Sequence, residues 1–292
     1  MNSARSTSPH ERPDFPIQQG THRMATTVIS ITRSHPTTRT NADGAAGVPA
    51  ALRSEWIKVS TVRTYPILLA LTVLSGLVTS WATGTLVKDE VLFANEVFLY
   101  STVLTAVFAS ITGILLFTSE AQHGTLAGVL TSQPARWVIV FSKSAIAGGA
   151  GLLYGIAGMT GGFSGSLLAG LEVGNTSALP RIIAWSLLFT TASGVLGVGL
   201  GMIARNSAAA ISGLLVWSLV VENLLREFLH ASVARFLPFN AGNGLLNIPA
   251  TNDTPARKAV QLSSIENALV FGGLTAVAVA LGTLLLYRRD TN

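Results

Sequence analysis

Uncharged stretches follow one another along most of the chain, each fenced by charged residues. Residues 66–87 lie between Arg63 and Lys88, 97–119 between Glu96 and Glu120, and 144–171 between Lys143 and Glu172. Residues 182–204 lie between Arg181 and Arg205, 206–221 between Arg205 and Glu222, and 267–287 between Glu266 and Arg288. A helix needs roughly 20 apolar residues to cross a bilayer. All but the 206–221 window reach that length. The short window spans if Glu222 sits near the headgroups and the helix runs on through Leu225. The pattern predicts an all-α integral membrane protein with six transmembrane helices.

Two further segments have a pattern of their own. In residues 51–63, Leu52, Trp56, Val59 and Val62 recur at helical spacing, with Arg53, Glu55, Lys58 and Arg63 on the polar side. This reads as an N-terminal amphipathic elbow helix on the cytoplasmic surface. Pro66 then starts the first span, where its missing N–H costs nothing. The elbow is either a plain anchor or also a contact for a cytoplasmic subunit, and the physics alone favours the anchor. Before the last span, residues 228–266 carry Phe236, Leu237, Phe239, Leu245, Leu246 and Ile248, too apolar for a solvated loop. Pro238, Asn240, Gly242, Asn243, Gly244 and Pro249 interrupt them. The expectation is a re-entrant outer segment of short pieces. His230 sits at its rim as an interfacial polar residue rather than a ligand.

Composition agrees with a lipid solvent. Charged residues make up 11% of the 292 positions, against roughly 25% in ordinary soluble domains. Hydrophobic residues make up 49%, and the mean hydropathy is +0.51. These values argue against a soluble enzyme, a DNA-binding domain or a disordered scaffold. The net charge of +5 then reflects basic residues on the cytoplasmic side, not nucleic acid. Cysteine is absent, which removes disulfides, thiolate nucleophiles and cysteine metal sites.

Residues 1–50 are rich in Ser, Thr, Pro and Arg, with acids only at Glu11, Asp14 and Asp43. They lack the long apolar run of a secretory signal. They read as a disordered cytoplasmic tail preceding a membrane domain at 51–292. A transit peptide, or a true start at Met24, are the competing readings.

Orientation follows the short-loop cations. One side holds Arg53, Lys58, Arg63, Arg136, Lys143, Arg205, Arg288 and Arg289. The opposite short loops hold only Lys88 and Arg181. The longer loop before the last span adds Arg226, Arg235, Arg257 and Lys258 beside Glu222, Glu227, Asp253 and Glu266. Both termini are therefore expected in the cytoplasm.

The cytoplasmic stretch 119–143 is the most informative. Glu120 sits where the second span ends, placed to stay solvated and pair with a cation such as Arg136. Gly124 breaks the helix, and Thr125 caps a short one with an apolar stripe at Leu126, Val129 and Leu130. Pro134 ends that helix, and Arg136 and Trp137 start the return. An interfacial hairpin and a docking element stand level on these residues alone.

The third span is crowded with glycine at four-residue spacing: Gly151 and Gly155, Gly158 and Gly162, Gly161 and Gly165. Gly197 and Gly201 repeat it in the fourth. Such spacing lets backbones approach closely, and contacts within the bundle are favoured over a subunit interface. No phosphate loop exists, because no lysine has the required glycines before it. No ionisable residue falls in the middle of a window. That disfavours an ion-coupled carrier, and no reactive cluster suits an intramembrane enzyme. If the chain moves a substrate, the energy comes from outside it.

These pieces together resemble the ABC-2-type transporter permease family, particularly the bacterial branch with six spans and no fused ATPase. Residues 52–63, Leu-Arg-Ser-Glu-Trp-Ile-Lys-Val-Ser-Thr-Val-Arg, look like its amphipathic lead-in to the first span. Glu120-Ala-Gln-His-Gly-Thr125, with Pro134-Ala-Arg136 and Lys143, looks like its loop between spans two and three. Pro238-Phe-Asn-Ala-Gly-Asn243 is similar to its broken outer segment. The resemblance runs from about residue 50 to the C-terminus.

The resemblance implies a half-transporter in the plasma membrane. Two permease subunits, as homo- or heterodimer, pair above two separate ABC ATPase subunits, which bind the ATP and Mg. By that analogy Glu120, His123, Gly124, Thr125, Pro134 and Arg136 are coupling candidates, and Glu55, Trp56 and Lys58 are elbow-contact candidates. None is catalytic, no cofactor belongs to this chain, and export is the implied direction. A non-transporting sensor or scaffold that keeps the fold is the alternative, and a secondary carrier the more remote one.

Overall fold

A computed structural model describes residues 47–87, 91–125, 128, 135–246 and 259–289. Every described residue belongs to one compact unit within residues 39–292. The expectations for residues 1–46, for the short helix at Leu126, Val129 and Leu130, for Pro134, and for Ile248 and Pro249 lie outside the described residues.

The described residues are almost entirely helical. Helix α1 is Val48–Thr61, α2 Thr64–Leu86, α3 Ala94–Val97, α4 Thr102–Gln122, α5 Arg136–Leu168 and α6 Leu179–Ala204. Helix α7, Ser207–Val216, runs through a π-helical turn, Trp217–Val221, into α8, Glu222–Phe228. Then come α9, Ala231–Ala234, α10, Pro238–Leu246, and α11, Ser264–Arg289. Among the described residues, six helices are long and apolar enough to cross a membrane. Helix α1 starts at Val48, inside the last residues assigned to the tail.

The spans are not equally enclosed. Within the chain, 67% of an apolar 18-residue stretch of the 94–122 span and 56% of that in the 179–204 span are buried, against 17% of that in the 207–228 span. Helices α4, α5 and α6 therefore form the centre, and α2, α7 to α8 and α11 flank it. Close approach among the central helices depends on glycine. A Cβ on Gly197 would lie 2.8 Å from the Ser110 carbonyl carbon, and one on Gly113 would lie 2.8 Å from the Val198 nitrogen. Gly151 and Gly155 face Thr190 of α6, Gly158 faces Thr72 and Thr105, and Gly161 and Gly165 face Val73 and Leu77 of α2. Gly162 meets Phe98, and Gly201 meets Ile114. Each of these glycines sits against another segment of the same chain, where an added side chain would meet facing backbone or, at Gly155 and Gly158, facing side chains.

Hydroxyls inside the bundle fold back on their own helices. Thr72 donates to the Leu68 carbonyl at 2.8 Å, Ser110 to Ala106 at 2.9 Å and Ser193 to Phe189 at 2.7 Å. This satisfies polar groups that have no access to water. Ser110 also donates to the Ser193 carbonyl at 3.0 Å, which ties α4 to α6.

Two window edges differ from the sequence reading. Helix α5 begins at Arg136, not after Lys143, so Lys143 lies two turns inside it and is 0% exposed. The fifth span does run past Leu225, to Phe228. Glu222, however, is 4% exposed and enclosed by protein rather than left among headgroups.

The segment before α11 folds back on the bundle. Phe239, Ala241 and Leu245 of α10 join Phe189 of α6 and Phe271 of α11 in one apolar cluster. The Phe189 and Phe271 rings meet edge to face at 5.1 Å. Gly242 lets α10 lie against Phe189, since a Cβ there would sit 2.6 Å from the ring's Cζ. His230 caps α9, its Nδ1 2.8 Å from the Ser232 hydroxyl.

Candidate functional site

Four charged side chains from three helices meet at one end of the bundle. Helix α1 carries Glu55 and Lys58 one turn apart, so both project from one face. Glu120 comes from the last turn of α4 and Lys143 from α5. Lys58 Nζ lies 2.8 Å from Glu55 Oε1 and also bonds Glu120 Oε1. Lys143 Nζ lies 3.0 Å from Glu55 Oε1 and 2.9 Å from Glu120 Oε2. Lys143 also donates to the Leu116 carbonyl at 2.9 Å. Two carboxylates and two ammonium groups thus alternate in a closed, neutral set.

Burial sets the energetics. Glu55 is 4% exposed and Glu120 7% exposed. Removing such charges from water costs several kcal/mol each, offset only by good geometry and full hydrogen bonding. Such a cluster contributes little net stability and a great deal of positional specificity. Lys58 is the most exposed member. Burial opposes its charge, but the hydrogen bonds to Glu120 and Glu55 outweigh this and hold its ammonium above the ordinary lysine range.

A second layer fastens the same corner. Tyr154 of α5 donates to the Tyr65 carbonyl at the start of α2, at 2.9 Å, and receives a hydrogen bond from Thr112 of α4 at 3.2 Å. The elbow and the start of the first span are therefore tied twice to α4 and α5.

The sequence candidates separate into distinct places. Glu55, Lys58 and Glu120 belong to the ion cluster. The polar side of the elbow is thus partly turned inward, while Trp56 is 55% exposed. Glu120 is buried rather than solvated, and its cations are Lys58 and Lys143. Arg136 turns to the end of the last span instead. It donates to the carbonyls of Leu286 and Tyr287 at 3.2 and 3.3 Å, with its guanidinium 5.0 Å from the Tyr287 ring centre. The reason is local. The last carbonyls of α11 lack helical partners, and a cation there complements the helix end.

His123 and Gly124 end α4 at the surface. His123 Nδ1 lies 2.6 Å from the Ser119 carbonyl, and Gly124 takes a φ of 71°. The Thr125 hydroxyl reaches back to the Glu120 carbonyl at 3.4 Å. The exposed end of α4 therefore begins immediately beyond the buried cluster.

Sequence reading counted Lys143 as a window boundary and missed its part in the cluster. The available signal was its position seven residues after Arg136 in a run that continues as helix. It also placed a third buried carboxylate, Glu222, near the headgroups. Glu222 accepts from Trp217 Nε1 at 3.0 Å and from the backbone N–H of Asn240. A side chain from the fifth span thus satisfies the N-terminus of α10. The π turn just before it aims the indole at the carboxylate.

A family model described as "ABC-2 family transporter protein" matches residues 14–291. The match reaches further towards the N-terminus than the motifs that carry the resemblance. Among curated proteins, none matches the chain. The chain belongs to the ABC-2 transporter family.

Proposed function

We propose that this ABC-2 family member is the membrane-spanning permease subunit of an ATP-binding cassette exporter. A separate ATPase subunit supplies the energy and holds the ATP and Mg. Two permease subunits enclose the pathway in the plasma membrane, with both termini cytoplasmic. The observation that supports this reading most is the buried ion cluster. It makes the elbow helix, the end of α4 and the start of α5 a single mechanical body beside the exposed loop at 123–125.

In this reading the ATPase contacts that surface. Glu55, Lys58 and Glu120 do not reach for the partner. They transmit its movement by holding α1, α4 and α5 in register. His123, Gly124, Thr125, Pro134 and Arg136 carry the outer part of the coupling element, with Arg136 linking it to the last span. Trp56, exposed on the elbow, suits either the headgroup level or the partner.

The test is mild-detergent extraction from native membranes. An ATP-binding subunit should come with the chain, and the complex should hydrolyse ATP while the chain alone does not. Extraction that retains the six-span chain without any nucleotide-binding partner, under several detergents, counts against the proposal.

A further inference from the structure

The bundle end opposite the ion cluster carries a second polar site. A cavity of about 300 Å³ opens there. Arg226 of α8, Arg235 after α9, Asn243 of α10, and Gln261 and Leu262 before α11 line it, with Val103 of α4 forming part of the apolar wall. Residues from the second span, the fifth span, the outer segment and the lead-in to the sixth thus converge on one space. Its volume is of the size that small ligands fill, with mostly apolar walls and a few placed polar groups.

Two of those polar groups, Arg235 and Asn243, each keep one atom without a hydrogen-bond partner. Arg235 donates through Nη1 to the Val260 carbonyl at 3.3 Å, and its guanidinium lies 4.8 Å from the Phe236 ring centre. Its Nε is buried without a hydrogen-bond partner, and so is Asn243 Oδ1. Buried polar atoms are nearly always paired, so each unpaired one calls for an explanation. Two nearby carboxylates are already engaged. Glu222 accepts from Trp217 and the start of α10, and Glu266 accepts from the Ser263 N–H and hydroxyl at 2.8 and 2.9 Å.

We infer that this cavity binds a phosphate ester bearing a neighbouring hydroxyl or amine, the chemistry of a phospholipid headgroup or of a soluble glycerophosphate. Arginine's planar fork matches phosphate oxygens, and the Nε of Arg235 is the donor that lacks an acceptor. Asn243 Oδ1 is an acceptor that lacks a donor, which a hydroxyl or ammonium beside the phosphate supplies. By the distribution of cations, this end faces the outside of the cell. The inference does not depend on transport, since it concerns binding by the chain itself.

The test uses the full chain in nanodiscs of phosphatidylcholine, which has a phosphate and no such donor, doped with phosphatidylglycerol, which has both. Native mass spectrometry reads the lipid retained, and calorimetry reads binding of glycerol 3-phosphate. The expected result is retention of phosphatidylglycerol over phosphatidylcholine by about tenfold. That preference should fall several-fold in Arg235→Gln and in Asn243→Asp, which keeps the side-chain size and repels the phosphate. Binding of glycerol 3-phosphate assigns the site to a soluble ester, and retention of phosphatidylglycerol without it assigns the site to lipid. If Arg235→Gln does not fold, Asn243→Asp and Gln261→Leu carry the test. Equal retention of the two lipids with no binding of glycerol 3-phosphate overturns the inference, as does binding that the folded variants leave unchanged.

Discussion

Lys143 Nζ lies 3.0 Å from Glu55 Oε1, a contact that joins the interior of α5 to the elbow helix across 88 positions of sequence. Lys143 also meets Glu120, so one fully buried ammonium group holds two carboxylates from two other helices. Replacing it by methionine keeps the volume and leaves both carboxylates short of a cation. The expected cost is about 3–5 kcal/mol, the range for breaking a buried pair. Thermal unfolding in detergent measures it. The double variant Lys143→Met with Glu55→Gln should recover part of the loss, because the charge is then balanced again. Strict additivity of the two single variants would show that the contact carries no coupling.

A pH dependence follows from Lys58. Its folded pKa is raised above the ordinary value of 10.5, with burial opposing and the bonds to Glu120 and Glu55 prevailing. A raised cationic pKa contributes stability that is fully present below the unfolded value and is lost as pH rises through the folded value. The elbow should therefore stay fastened at neutral pH and loosen only in strong alkali. Comparing wild type with Lys58→Met between about pH 8 and pH 11 isolates the effect. The difference in unfolding temperature should be constant at the lower pH and shrink towards the upper end. A difference that shrinks on acidification from pH 8 instead would contradict the assignment.

Glycine substitutions should divide sharply by position. Gly113→Ala and Gly197→Ala place a methyl group into backbone of the facing helix. Overpacking of this kind costs about 1–3 kcal/mol or more. Gly149 and Gly213 have open space around the same position. Alanine there should be neutral or stabilising by about 0.5–1 kcal/mol, since helix propensity improves. Parallel unfolding of the four variants checks the contrast, and equal effects at all four would disprove the packing account.

Glu222→Gln should release α10. The amide replaces the carboxyl that accepts from the Asn240 N–H and weakens the bond from Trp217. A loss of about 1–3 kcal/mol is expected for such buried bonds. Greater protease access at the Pro238–Leu246 helix is the readout, and unchanged protection would mean that the apolar contacts alone hold the segment.

The six spans were legible because a bilayer leaves few alternatives to long uncharged helices. The four-residue glycine spacing is visible in the sequence, and those glycines lie where another segment of the chain comes close. The ion cluster was not legible. Glu120 and Lys58 stand 62 positions apart, and nothing in the local pattern pairs them. Reading charge as a boundary also hid Lys143, which is neutralised by carboxylates from two other helices, and Glu222, which accepts hydrogen bonds from Trp217 and the start of α10. Arg136 was read beside Glu120 from proximity in sequence, whereas the exposed carbonyls of α11 offered it a better site.

The central claim is that the end of α4 passes ATPase movement into the bundle, and His123 tests it most directly. His123 is exposed and lies outside the ion cluster, contacting the carbonyl of Ser119 on its own helix. Replacing it should therefore change stability by no more than about 0.5 kcal/mol. The measurement is transport and ATP hydrolysis by the His123→Ala chain reconstituted with its ATP-binding subunit. The account predicts an unchanged unfolding temperature with coupled activity reduced about tenfold, equivalent to about 1.4 kcal/mol. Wild-type coupling in that variant, and again in Thr125→Ala, would contradict it.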